Sequence, residues 1–314
     1  MSDITNNQSE AMEDGAGEIG DVGGIYQLIG RTFLENKLAL ASLGVLVFMI
    51  LFSFVGPYVY HSNQDNAFLI STTLINGVAP NNYPWFHSFS ALLGTDPSGY
   101  DTIGRLMIGG RTALTVGFLA GLIATVVGSI WGAVAGYRGK LSDTLMMRFV
   151  DIGLSVPGIF LIIVIVVLFG VTKKTIILTL GFTGWFGSAR LIRGQTLGIK
   201  VRPFIEAVKT MGGSSRRIIL RHILPNTIGT MVVITTFAVA DSILALASLG
   251  FIGLGIPLPD SDWGSMLNNG VPYAPQGYWW EIIPPALCII AIVISLNYIG
   301  DALRDGFEVR LQKR

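Results

Sequence analysis

Long stretches without a single Asp, Glu, Lys or Arg constrain this chain more than anything else in it: Leu38 to Tyr60, Thr112 to Tyr137, Ile152 to Thr172 and Ile282 to Gly300. Each is close to the roughly 20 apolar residues that a helix needs to cross the hydrocarbon core of a bilayer. Thr175 to Ala189 is shorter, and reaches spanning length only if Lys173, Lys174 and Arg190 snorkel toward the headgroups. The region from Ile223 to Pro259 is charge-free except for Asp241 and too long for one helix, and Gly250, Gly253, Gly255, Pro257 and Pro259 break its second half. One span from about Asn226 to Gly250, followed by an irregular exit, is the expectation. Six transmembrane helices in an all-α polytopic membrane protein follow. Composition agrees: 51% of residues are hydrophobic and 13% charged, with a mean hydropathy of +0.61, where charged residues make up about a quarter of a soluble domain.

Lysine and arginine set the expected orientation. Counted on alternate sides of the six spans, seventeen fall on one side and only Arg105, Arg111, Lys173 and Lys174 on the other. The positive-inside rule then places both termini in the cytoplasm, and a seventh span from Ser242 to Pro259 would put the basic C-terminal end outside. The start of the chain is acidic, with Glu10, Glu13, Asp14 and Glu18, which suits a disordered tail and not a cleavable signal. Ile25, Leu28, Ile29 and Phe33 share one helical face, as either a helix lying in the interface or a plain extension of the first span. The expected layout is a tail (1–24), an interfacial helix (25–37), a first transmembrane helix (38–60), an extracytoplasmic loop (61–111), a core of five spans (112–301) and a cytoplasmic tail (302–314). Trp85, Trp263, Trp279 and Trp280 fall in the external loops, where interfacial aromatics belong.

Two patterns stand out within this frame. Gly117, Gly121, Gly128 and Gly132 fall on one stripe of the second span, with two GxxxG intervals. Small residues let helices approach closely in lipid, either within the chain or at a subunit interface. Between the fourth and fifth spans, the cytoplasmic stretch 203–225 reads as two short helices around a turn: Pro203 starts the first, Gly212 and Gly213 end it, and Ser214 caps the second. Arg216, Arg217 and Arg221 accompany apolar Ile218, Ile219 and Ile223 there. A short, exposed helix pinned between two spans is what a membrane protein presents to a cytoplasmic partner whose movement it must follow.

That stretch resembles the EAA loop of ABC-importer permeases. Glu206, Ala207, Gly212, Leu224 and Pro225 match at the required spacing, while Val208 replaces the second alanine and His222 stands where isoleucine is usual. Other segments are similar to the dipeptide, oligopeptide and nickel permeases in particular. These are Asn36-Lys37-Leu38-Ala39; Gly94 to Asp101 followed by Arg105 and Arg111, with Tyr100 in place of the family's arginine; Arg148, Asp151 and Pro157; Ala247 to Gly255 followed by Pro257 and Trp263-Gly264; and Gly300-Asp301-Ala302-Leu303-Arg304-Asp305. The resemblance covers about Asn36 to Arg310 in order, and is nearest to the second permease subunit of a peptide importer.

What the resemblance implies is a type I importer fold of six helices, pairing with a homologous second permease subunit. Two cytoplasmic ATPase subunits, carrying ATP and magnesium, would bind below at Glu206, Ala207, Val208, Met211, Gly212, Leu224 and Pro225. An extracytoplasmic binding protein would deliver substrate from outside. Peptide is favoured as cargo over nickel, since no His, Cys or Met cluster marks a metal path.

Individual charges carry further expectations. Asp241 sits inside the fifth span, where a carboxylate marks a functional site by default. It either faces the translocation path and meets a substrate amine, or bonds a neighbouring helix. The related family often has a glutamate where this chain has Leu246, but the two positions point about 140° apart on a helix. Arg148 and Asp151 have the spacing of an ion pair. Arg105 and Arg111 suit lipid phosphates or the binding protein.

Several function classes lose support at once. No GxxxxGK[ST] phosphate loop exists, since the only Gly-Lys, Gly139-Lys140, is followed by Leu141, so this chain is not expected to hydrolyse ATP or to hold a cofactor. Net charge of +1 gives no footing for nucleic acid, and the lone Cys288 excludes a disulfide framework within the chain. A self-sufficient secondary transporter or channel should show inverted repeats or paired intramembrane charges, and a membrane enzyme should show a clustered nucleophile and base. Neither pattern is present.

Overall fold

The computed structural model describes residue 30 and residues 33–60, 93–96, 100–258 and 260–312. The acidic tail 1–24, most of the 25–37 segment and most of the loop from 61 onward lie outside them. Among the described residues, five helices are long and apolar enough to cross a membrane, or six if a bent pair counts as one span. Helix α1 (Lys37–Phe54) starts where the Asn36 side chain accepts the Leu38 and Ala39 amides at 3.1 and 3.2 Å, and one further turn follows at Gly56–Val59.

Helix α2 (Thr102–Arg138) is 37 residues long, about 55 Å at 1.5 Å per residue. It begins ten residues before the uncharged stretch, so Arg105 and Arg111 lie on the helix and not in the external loop assigned to them. Asp101 caps it, accepting the Gly104 amide at 2.8 Å. Helices α3 (Lys140–Ser155) and α4 (Gly158–Phe169) meet at an 83° bend. The sequence predicts one span over Ile152 to Thr172 here, and the bend falls inside it. Pro157 drives Val156 to φ −88°, ψ 127°, out of the helical region, as a proline does to the residue before it.

Helix α5 (Lys173–Ile199) runs well past the 175–189 stretch. Two short helices, α6 (Pro203–Thr210) and α7 (Ser215–Ile218), lead through a π-helical turn at Ile219–Ile223 into α8 (Ile228–Leu249). Helix α8 continues unbroken, so Ser242 to Leu249 belong to the fifth span and not to a seventh. A second π-helical turn, Gly250–Leu254, ends on Gly253 at φ +87°, the left-handed region that glycine tolerates. The chain then continues through α9 (Trp263–Gly270) and finishes in α10 (Ile283–Gln312), which carries the expected tail on as helix.

The glycine stripe of α2 meets other helices of the same chain. A Cβ on Gly121 would sit 2.8 Å from the Val239 amide nitrogen of α8, and one on Gly128 would sit 2.6 Å from both the Ser188 Cβ and the Trp185 carbonyl of α5. Gly117 faces Ile243 and Val239, and Gly132 faces Ala189 and Arg193. The stripe therefore splits between two neighbours, because so long a helix crosses one partner with each half. Around the lower half, Trp131, Phe149, Trp185 and Phe186 form an aromatic cluster linking α2, α3 and α5.

The irregular exit from α8 is locked from below by Asp262. Wholly buried, it accepts the Ile256 and Ser265 amides at 2.9 and 2.8 Å and the Ser265 hydroxyl at 2.7 Å. Gly250 and Gly255 leave no room for a Cβ against Asp262 and Ser265, nor does Gly264 against the Ala247 carbonyl.

Replacing Gly128 by leucine forces α2 and α5 apart, and overpacking of this kind costs about 1–3 kcal/mol. The apparent Tm of the detergent-solubilised protein should fall clearly, whereas Gly194→Ala, which meets nothing within 4 Å, should leave it unchanged.

Candidate functional site

The 203–225 segment is a knob with one buried face and one bare one. Ile205, Ile218, Ile219 and Ile223 pack with Ala133 of α2, Ile192 and Ile199 of α5 and Ile234 of α8, and Val208 and Leu224 fit against that cluster. Glu206, Ala207, Met211, Gly212 and Pro225 stay exposed, Met211 by 78%. The turn is a Schellman motif: Gly213 N–H donates to the Val208 carbonyl at 2.9 Å and Gly212 N–H to the Lys209 carbonyl at 3.1 Å, with Gly212 at φ +80°. Ser214 caps α7 through the Arg217 amide. His222, the departure from the usual pattern, lies in the π-helical turn, and its carbonyl accepts the Asn226 amide at 2.6 Å.

A cavity of about 350 Å³ opens between α2, α4, α5 and α8. Thr183, Ser188, Asp241 and Ser242 give it polar groups, and Gly158, Gly184 and Gly187 keep its walls low. Thr183 and Ser242 donate to the carbonyls of Thr179 and Ala238 one turn back, while Asp241 has no hydrogen-bond or ion-pair partner among the described residues. Leu246 points away into the apolar core, 1% exposed. Thr183 and Ser188 escape a sequence reading, because five residues along one helix signal nothing until a second helix supplies the facing wall.

Ion pairs tie α3 to α5 at the knob's end of the bundle. Arg193 grips Asp143 with two bonds of 2.6 and 2.8 Å, and Lys200 donates to the Gly136 carbonyl at 2.8 Å. Asp151 pairs with Arg190 at 2.7 Å, not with Arg148 three residues before it. Once α5 lies alongside, its arginine reaches across the groove more directly than a neighbour on the same helix.

At the opposite end, Arg105 is only 5% exposed. Its guanidinium lies 3.5 Å from Asp96, 3.4 Å from the Asp260 carbonyl and 4.7 Å from the centre of the Tyr100 ring. Lys173 meets the Asp260 carboxylate at 2.6 Å. Trp263 and Trp280, expected at the interface, are fully buried instead, with indole N–H groups donating to the carbonyls of Leu106 and Thr95 at 3.0 and 3.4 Å. Burial pushes the Asp101 carboxyl from 3.8 up to about 7, against the pull of the Gly104 and Ile103 amides and the Tyr60 hydroxyl, with the Asp96 charge adding to the rise. No group of three His, Cys, Asp or Glu suited to a metal occurs among the described residues.

Comparison with known proteins brings these features together. Residues 128–313 match the family described as "Binding-protein-dependent transport system inner membrane component", and residues 25–75 match the "N-terminal TM domain of oligopeptide transport permease C". A dipeptide transport system permease protein of Bacillus subtilis is 36% identical, over 90% of this chain and 85% of its own. The oligopeptide transport system permease proteins of Haemophilus influenzae and Bacillus subtilis are 37% and 32% identical, covering 90% and 100% of this chain and 88% and 100% of theirs.

The raised Asp101 carboxyl has a defined sign. Its folded value lies above the unfolded one, so the stability it contributes is full below about pH 4 and is lost as pH climbs through about 7. The apparent Tm should fall across that window in the native chain. Asp101→Asn keeps the cap and should flatten this part of the profile.

Proposed function

The chain belongs to the family of inner-membrane components of binding-protein-dependent transport systems, and on that premise we propose that it is the peptide-conducting permease subunit of an ATP-driven importer. It sits in the plasma membrane with both termini in the cytoplasm, beside a homologous second permease. An extracytoplasmic binding protein hands over the peptide, and two cytoplasmic ATPase subunits, holding ATP and magnesium, supply the energy. This chain has no phosphate loop and hydrolyses nothing.

One observation carries the mechanism: the knob at 203–225 is packed into the feet of α2, α5 and α8, and α5 and α8 are also walls of the cavity that holds Asp241. An ATPase pair that grips Glu206, Ala207, Met211 and Gly212 as it closes moves a rigid lever, because close-packed interiors transmit displacement and absorb little of it. The cavity walls shift with it, so nucleotide biases a two-state equilibrium between outward and inward openings. Asp241, on the cavity wall with no partner among the described residues, would receive the cationic amino terminus of a peptide. The relatives named for dipeptide and oligopeptide transport favour that cargo.

Gly212→Val tests the lever. A β-branched residue in a left-handed turn costs about 1–2 kcal/mol, enough to weaken ATPase docking by about tenfold, while Gly212→Asn should be tolerated. Copurification of coexpressed ATPases and ATP-dependent peptide uptake in proteoliposomes should drop together, with membrane insertion intact. Unchanged uptake and copurification would overturn the lever, and uptake by the purified chain alone without nucleotide would overturn the importer. Asp241→Asn should lower peptide uptake and leave ATPase copurification unchanged.

A further inference from the structure

A second cavity plays no part in this scheme. A groove of about 660 Å³ runs between α1, α2, α8 and α10, on a different face from the Asp241 cavity. That volume lies within the range of about 300–1,000 Å³ typical of ligand sites. Leu46, Ile50, Phe54, Phe118, Val239 and Ile299 line it, and no charged side chain does. Of its hydroxyls, those of Thr235 and Thr236 are already spent on the Met231 and Val232 carbonyls at 2.8 and 3.0 Å. Ile50 and Phe118 remain 41% and 56% exposed. A dry slot of this kind loses dispersion contacts along its whole lining unless something apolar fills it.

One end of the slot is charged. The Arg111 guanidinium lies over the Phe54 ring, 5.5 Å from its centre, and Phe54 is part of the lining. Arg111 is exposed and has no carboxylate partner among the described residues. Arg105, two turns earlier on the same helix, is buried among Asp96, Tyr100 and Asp260, so the two arginines do different things. Depth in the membrane follows from α2 itself. From Arg111 to Arg138 the helix rises about 40 Å, close to the thickness of about 40–45 Å of a bilayer including its headgroups. With Arg138 at one headgroup layer, Arg111 stands at the other.

We propose that this groove is a phospholipid site in the leaflet remote from the 203–225 knob. One acyl chain lies along Leu46, Ile50 and Phe118, and the phosphate meets Arg111. A cation fixed at headgroup depth above an uncharged slot is complementary to an anionic amphiphile. A helix from a second chain would have to bury Arg111 or bring a carboxylate to it. The proposal requires only that the chain lie in a bilayer, and it stands independently of what the protein transports.

The test is lipid retention by the full chain, purified with its coexpressed partners in mild detergent and analysed by native mass spectrometry. Phosphatidylglycerol and inorganic phosphate serve as added probes. Bound phosphatidylglycerol should be retained by the native chain and by Arg111→Lys, and should bind about five-fold more weakly to Arg111→Gln, the effect of losing one cation at an anionic headgroup. Ile50→Trp fills the slot without touching Arg111 and should also expel the lipid. Circular dichroism and apparent Tm in the same detergent confirm that each variant is folded. Equal lipid retention by all variants would overturn the proposal. So would inorganic phosphate competing the lipid away from the native chain, or loss of the second permease from the two groove variants with their lipid content unchanged.

Discussion

No solvent in the hydrocarbon core can hydrogen-bond a peptide group, so each N–H and C=O at that depth must be satisfied by the chain itself. Helices α1, α2, α5, α8 and α10 meet the requirement within their own backbones. The informative places are those where the helix stops short of the end of a span. After Gly250 the backbone unwinds, and side chains take over: Asp262 accepts the Ile256 amide, and Asn268 donates to the Phe251 carbonyl at 2.6 Å. Helix α9, which Asp262 caps, carries Asn268 to that break. The bend at Val156 and Pro157 lies beside the cavity that Gly158 helps to line, where a break in the helix opens a wall.

The same solvent rule sorts the charges. Ion pairs gather at the two ends of the bundle: Asp143 with Arg193 and Asp151 with Arg190 at one, Arg105 with Asp96 and Lys173 with Asp260 at the other. Between them Asp241 stands on a cavity wall. Each end is stitched from elements far apart in the chain, so the ends hold the relative positions of the helices.

Close approach holds the bundle together. With no hydrophobic drive between helices in lipid, association rests on contact area. The α2 glycines let the backbones of α5 and α8 come near enough to provide it. In the proposed mechanism, a push on the knob would travel through Ile192, Ile199 and Ile234 into helices that are themselves held to α2. On the other face, α1 and α10 meet α2 and α8 less completely and leave the apolar groove, so one bundle carries both a polar cavity and a lipid-facing slot.

The amino-acid sequence alone determined that the chain is helical with several segments apolar enough to leave water, that the Gly212 and Gly213 pair ends a short helix, and that Ser214 caps the next. All of these depend on composition and dihedral preference within a few residues. It also separated Asp241 from Leu246 by simple helical angle. It could not say that Asp151 would take Arg190 over Arg148, that Arg105 would be buried while Arg111 stayed at the surface, or that Trp263 and Trp280 would leave the interface for the interior. Nor could it say that the glycine stripe would divide between two partners. Those outcomes were decided by tertiary structure, because each depends on which helix crosses which and at what height, and spacing along one helix carries no record of the partner that comes to lie against it.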